Sequence, residues 1–124
     1  MNTFKREERL KSKKLIEQLF EESKSITVSP LKLIWTPVAR ETEVPVQAGF
    51  SVPKRLFPKA VDRNRIKRLM REAWRLQKQQ LYTVLTEKNL RLAMMFIFTS
   101  KQKPEYKEVF EKITAIIQRL EKSL

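Results

Sequence analysis

KRLFPKAVDRNRIKRLMREAWR, residues 54 to 75, holds nine Lys/Arg residues against two acids, Asp62 and Glu72. Seven of the chain's +13 net charges therefore sit in this one stretch, densest in RNRIKRLMR at 63 to 71. So basic a segment repels itself and calls for a polyanionic partner. Its apolar positions are Val61, Ile66, Leu69, Met70, Ala73, Trp74, the stem of Gln77, and Leu81. Together they form one helical stripe, with Trp74 in the core. Pro58 suits the first turn of that helix, because it needs no N–H donor there; the expected end is near Leu81.

The cations fall outside the stripe. Arg63, Lys67, Arg71 and Arg75 step by four, and Arg65 and Arg68 widen the charged area. Arg63 and Arg65 occupy early turns, where the helix dipole disfavours a cation by about 0.3–1 kcal/mol. A merely solvated face would not need that penalty, and would alternate with acids at i,i+4. The face is therefore expected to bind phosphates, with Arg supplying planar forked donors. Asn64 has two open readings: a polar contact to a phosphate, a 2′-OH or a bound water and metal, or a local cap.

Around this helix the pattern is mixed. Val46–Val52 alternates Val46, Ala48, Phe50 and Val52 with Gln47, Gly49 and Ser51, a strand whose second face is small and polar enough to line a groove. Leu92–Phe98 (LAMMFIF) is apolar on both faces, as a strand covered on both sides should be. The basic helix then joins two neighbouring strands. Toward the N-terminus, Ser12 caps a helix to about Glu22 with the stripe Leu15, Ile16, Leu19 and Phe20. Ser25–Val28 and Leu31–Val38 read as strands, the second with Leu31, Leu33 and Trp35 buried against Lys32, Ile34 and Thr36. Pro37 and Pro45 bracket a hairpin-like ARETEV. Residues 82–91 read as a loop. Lys101 to Lys103 form a basic turn, and Pro104 opens a last, structural helix. Residues 1–11 read as a flexible basic arm that also suits a phosphate backbone. The sum is a single α+β domain over 1–124, ordered αβββαβα, with helices covering one small sheet.

Absences narrow the chemistry. The chain has no His and no Cys, which removes the commonest general base, thiol chemistry and Cys/His zinc sites. One glycine leaves no phosphate-cradling loop. No catalytic residue and no protein metal ligand is expected, so the chemistry belongs to the partner. No apolar run spans a bilayer and no signal peptide opens the chain; a cytoplasmic, nucleic-acid-binding protein without a membrane role is the expectation. Phe20 and Trp35 could stack on unpaired bases at about 1–3 kcal/mol each, or simply fill the core.

FSVPKR…KAVDRNRIKRLMREAWR resembles the signature of the bacterial ribonuclease P protein subunit. The match runs through Lys54-Arg55, Lys59-Ala60-Val61, Arg63-Asn64-Arg65, Lys67-Arg68 and Arg71-Glu72, and Arg9-Leu10-Lys11…Phe20 resembles the family's N-terminal pattern. Leu56-Phe57-Pro58 makes the turn one residue longer than the family's glycine-bearing turn. Ile16 stands where an aromatic is common, and register decides whether Trp35 or Ile34 takes the place of the family's strand aromatic. The resemblance implies a fold like domain 2 of ribosomal protein S5, with a left-handed βαβ crossover against the usual right-handed rule. It implies a monomeric helper, bound 1:1, of ribonuclease P RNA, which cuts the 5′ leader from precursor tRNA with Mg²⁺ held mainly by the RNA. Lys54, Arg55, Lys59, Arg63, Asn64, Arg65, Lys67, Arg68 and Arg71 would then bind RNA. Phe20, Trp35 and Ser51 would line the leader cleft. The alternative is a non-catalytic RNA-binding or ribosomal protein.

Overall fold

A computed structural model describes residues 3–39 and 44–124, so most of ARETEV lies outside the described residues. The elements are α1 (Lys13–Glu22), β1 (Lys24–Val28), β2 (Leu31–Pro37), β3 (Val46–Ser51), α2 (Ala60–Glu87), β4 (Leu92–Phe98) and α3 (Tyr106–Ser123). The four strands form one sheet in the order β1-β2-β4-β3. β1–β2 and β2–β4 are antiparallel, whereas β3 and β4, joined through α2, are parallel.

β4 explains the layering. Leu92, Met94, Phe96 and Phe98 join Leu33, Trp35, Ile66, Met70, Trp74 and Ile113 in the main core, between the sheet and the α2/α3 pair. Ala93 and Met95 point the other way and pack with Leu19 and Ile34 under α1. β2 is thus covered on both sides at Ile34 and Thr36, where alternation led us to expect one buried face. The reason is α1, which caps that second face.

α1 starts as expected: the Ser12 hydroxyl accepts from Leu15 N–H at 3.3 Å. α2 departs at both ends. It begins at Ala60 with Lys59 as N-cap, two residues after Pro58, and Val61 is 71% exposed rather than part of the seam. It also runs on to Glu87, because Leu85 continues the buried stripe beyond Leu81. The stop is chemical. Asn89 takes φ 55°, Leu90 N–H donates to Leu85 O at 2.9 Å and Asn89 N–H to Thr86 O at 3.1 Å. This is the paired-bond helix terminus that a left-handed Asn permits.

The arm is also ordered where we expected flexibility. Arg6–Glu8 form a short 3₁₀ turn, Arg9 bridges to Ala48, and Glu8 and Leu10 are buried. Glu8 meets Lys78, a buried charge on the apolar seam of α2.

Candidate nucleic-acid interface

The cationic face of α2 follows from helical geometry. A step of four residues advances about 40° around an α-helix, so a row stepping by four drifts across the surface. At its start, Arg63 lies over the seam and turns inward. One guanidinium nitrogen donates to Phe57 O at 2.9 Å and Pro58 O at 2.7 Å. Arg63 therefore braces the loop before the helix. Phe57, 4% exposed and 5.9 Å from the Phe98 ring, anchors that loop from inside. Lys54, Arg55 and Lys59 are left on the outside.

Further along, Val61, Asn64, Arg65, Lys67, Arg68 and Arg71 line a shallow depression of about 490 Å³. Asn64 is exposed inside the helix, past the capping position, so its amide faces this depression rather than closing the helix end. Arg65 reaches the Pro104 carbonyl at 3.5 Å, and Asp62 pairs with Lys103 at 3.2 Å. These two contacts bring the basic turn at 101–103 beside the helix. Arg75 is held by Glu72. The Arg75 guanidinium lowers the Glu72 carboxyl below its ordinary range, and Glu72 raises Arg75 in return. Lys67, Arg68 and Arg71 have no hydrogen bond or ion pair among the described residues.

The second surface lies across the sheet. Leu19, Phe20, Ser23, Ser25, Lys32, Ile34 and Ile97 line a cleft of about 210 Å³ between α1 and the strands. Phe20, 61% exposed, stands at its rim. Register places Thr27, Lys32, Ile97 and Ser51 in one row across the same face. Ser51 is thus one strand beyond the cleft lining, toward Lys54 and Arg55. Trp35 is not part of the cleft. It is 2% exposed in the opposite core, with the Lys24 ammonium 5.3 Å from its ring. Ile34 occupies the cleft-facing position, which decides the register question. Local pattern gave no warning of Ser23, Ser25 and Lys32, since each reads alone as an ordinary surface residue.

No helix is long and apolar enough to cross a membrane among the described residues. The profile of the family described as Ribonuclease P matches residues 4–121. A ribonuclease P protein component from Chlorobium phaeobacteroides is 33% identical, with 97% of this chain and 89% of that protein aligned. One from Porphyromonas gingivalis is 35% identical over 82% of this chain and 74% of its own length. In three dimensions, the RNase P protein of Staphylococcus aureus superposes with a TM-score of 0.73 at 18% identity, over 91% of this chain and 94% of that one. That of Thermotoga maritima gives 0.70 at 22% identity, over 90% and 96%. The described α+β fold carries the RNR-centred helix on the layout of those structures, and the chain belongs to the ribonuclease P protein-component family.

Proposed function

We propose that this subunit of ribonuclease P assists an RNA that performs the cleavage, and that its two surfaces divide the labour. Arg65, Lys67, Arg68 and Arg71, with Asn64, bind the catalytic RNA along α2. Lys54, Arg55 and Lys59 extend that contact to the start of the helix. The cleft under α1, with Phe20, Lys32 and Ile34, takes the single-stranded 5′ leader of precursor tRNA, and Ser51 lies on its path toward Lys54. Arg63 contributes by holding the loop and with whatever donors remain outward. One protein per RNA, in the cytoplasm, completes the reading.

The observation that carries it is the pairing of surfaces of opposite character. A shallow depression lined by Lys67, Arg68 and Arg71, which have no partner among the described residues, suits a phosphate backbone. A narrow groove with an exposed aromatic, hydroxyls and one lysine suits unpaired nucleotides, which can stack as well as pair their phosphates. Mg²⁺ belongs to the RNA in this account. Among the described residues no three acidic side chains gather at one point.

Reconstitution tests the reading. The purified protein, its RNA and precursor tRNA at low Mg²⁺ should give cleavage at a lower Mg²⁺ requirement than RNA alone, with precursor bound more tightly than mature tRNA. Salt-dependent RNA binding with no leader preference would leave only a general RNA-binding protein.

A further inference from the structure

The N-terminal arm passes from one face of the sheet to the other. On the α2 side, Phe4 packs edge-on against Phe50 with ring centroids 5.9 Å apart. The arm then runs along β3, where Arg9 bridges to Ala48 and Leu10 N–H donates to Ala48 O at 2.9 Å. Leu10 ends in the opposite core beside Met95, over Gly49, where an added methyl would lie 3.6 Å from Leu10 Cβ. Two residues later Ser12 caps α1. The arm therefore delivers α1, one wall of the cleft, to its place.

A buried polar knot fastens the arm to α2. Glu8 is 4% and Lys78 2% exposed. The Lys78 ammonium donates to Glu8 Oε1 at 2.5 Å and to Thr3 O, and lies 5.3 Å from the Tyr82 ring and 5.7 Å from the Phe4 ring. The Tyr82 hydroxyl donates to Glu8 Oε1 at 2.8 Å, and Lys5 N–H to Glu8 Oε2 at 2.5 Å. Desolvation offsets much of the attraction in such a pair, so apolar residues of similar volume would hold the arm about as firmly. What they would not do is demand one register, because an apolar contact tolerates sliding and a fully satisfied charge does not.

We propose that Glu8 and Lys78 are positioning residues for the cleft. By pinning the arm in one register on α2, they set α1 and its Phe20 relative to the cationic face of the same helix. The inference rests on the function proposed above. Lys78 lies ten residues beyond Arg68, about 15 Å along a rigid helix, so one element carries both the RNA contacts and the anchor of the opposite wall.

The test uses full-length protein reconstituted with its RNA. Glu8→Gln keeps the shape and removes the charge. Its ratio of precursor to mature tRNA affinity should fall roughly fivefold or more. Affinity for the RNA subunit alone should stay within about twofold, since the α2 face is untouched. Hydrogen exchange at the Leu10 and Leu15 amides should speed up while α2 amides keep their protection. A second variant, Glu8→Leu/Lys78→Met/Tyr82→Phe, separates positioning from plain stability. It should recover the folding lost in Glu8→Gln yet still discriminate poorly. Wild-type discrimination in that triple variant, or unchanged discrimination and exchange in Glu8→Gln, overturns the inference alone. A wild-type protein with no leader preference overturns the proposed function and takes the inference with it.

Discussion

Arg75 and Lys78 lie within one turn of each other on α2, yet their ion pairs, with Glu72 and Glu8, have little in common. The first pair is local, spaced i,i+3, with side chains 30% and 47% exposed. The second joins chain-distant residues whose side chains are 3% and 6% exposed. Water and salt screen the first, so it adds little to stability. The second has no solvent to fall back on. Breaking it leaves a charge in the core, although the intact pair adds little net stability. One helix thus carries a screened ion pair on its exposed side and a fixed one on its packing side.

The sharpest way to break the comparison is Lys78→Met. With Glu8 left buried and unpaired, stability should drop by about 3–5 kcal/mol, seen as a lower urea midpoint at unchanged slope. If the midpoint barely moves, Glu8 is not confined as described. Replacing the whole knot, as in Glu8→Leu/Lys78→Met/Tyr82→Phe, should restore stability to within about 1–2 kcal/mol of wild type.

Acid gives a graded version. Burial pushes the Glu8 carboxyl up, but the Lys78 ammonium, the Lys5 N–H and the Tyr82 hydroxyl outweigh it and hold the group below its ordinary value of 4.5. A depressed carboxyl adds stability that is fully present above its unfolded pKa and is lost as pH falls through the native one. The stability gap between wild type and Glu8→Gln should therefore narrow below about pH 4.5. Near 1 M salt, where screening acts over about 3 Å, the gap should persist; a gap that salt erases would make the knot a surface pair. Burial, and after it the bond to Glu8, raises the Tyr82 hydroxyl above its ordinary range, and burial raises that of Tyr106 as well, so both tyrosines should ionise above the usual tyrosine range in an ultraviolet titration.

Smaller still is Arg75→Ala, expected to leave the urea midpoint nearly unchanged, and more nearly so in high salt. Arg68→Ala should leave stability within about 0.5 kcal/mol. It should instead make the slope of log affinity for the RNA subunit against log salt shallower by roughly one unit. An unchanged slope would place Arg68 off the interface.

Much of this was legible because it is periodic. The α2 seam from Ile66 to Trp74, the two-faced β4 and the polar face of β3 each announce themselves within a few residues, and the charge excess at 63 to 71 needs no fold to be noticed. Three things were not. Trp35 and Ile34 both suit a buried position, and only the placement of α1 and α2 on opposite faces decides which one meets the cleft. Arg63 belongs to a row that steps by four, but the drift of that row turns it toward Phe57 O. Lys78 sits on the seam at a spacing that asks for an apolar residue, and its partner comes from the far end of the chain. The end of α2 was readable in principle, since Lys88-Asn89-Leu90 after Leu85 carries the chemistry of a helix stop.

The parallel pairing of β3 with β4 has a kinetic side. These strands cannot meet until the whole of α2 has been spanned, and β2 waits for the same event, because its partner beyond β1 is also β4. Little of the sheet except the β1–β2 hairpin is local, so loop-closure entropy comes before most of the reward. The segment to be closed is the one whose cations repel each other. Sulfate or phosphate should therefore speed refolding more than it slows unfolding, and the chain should reach its native sheet fastest beside the polyanion it serves.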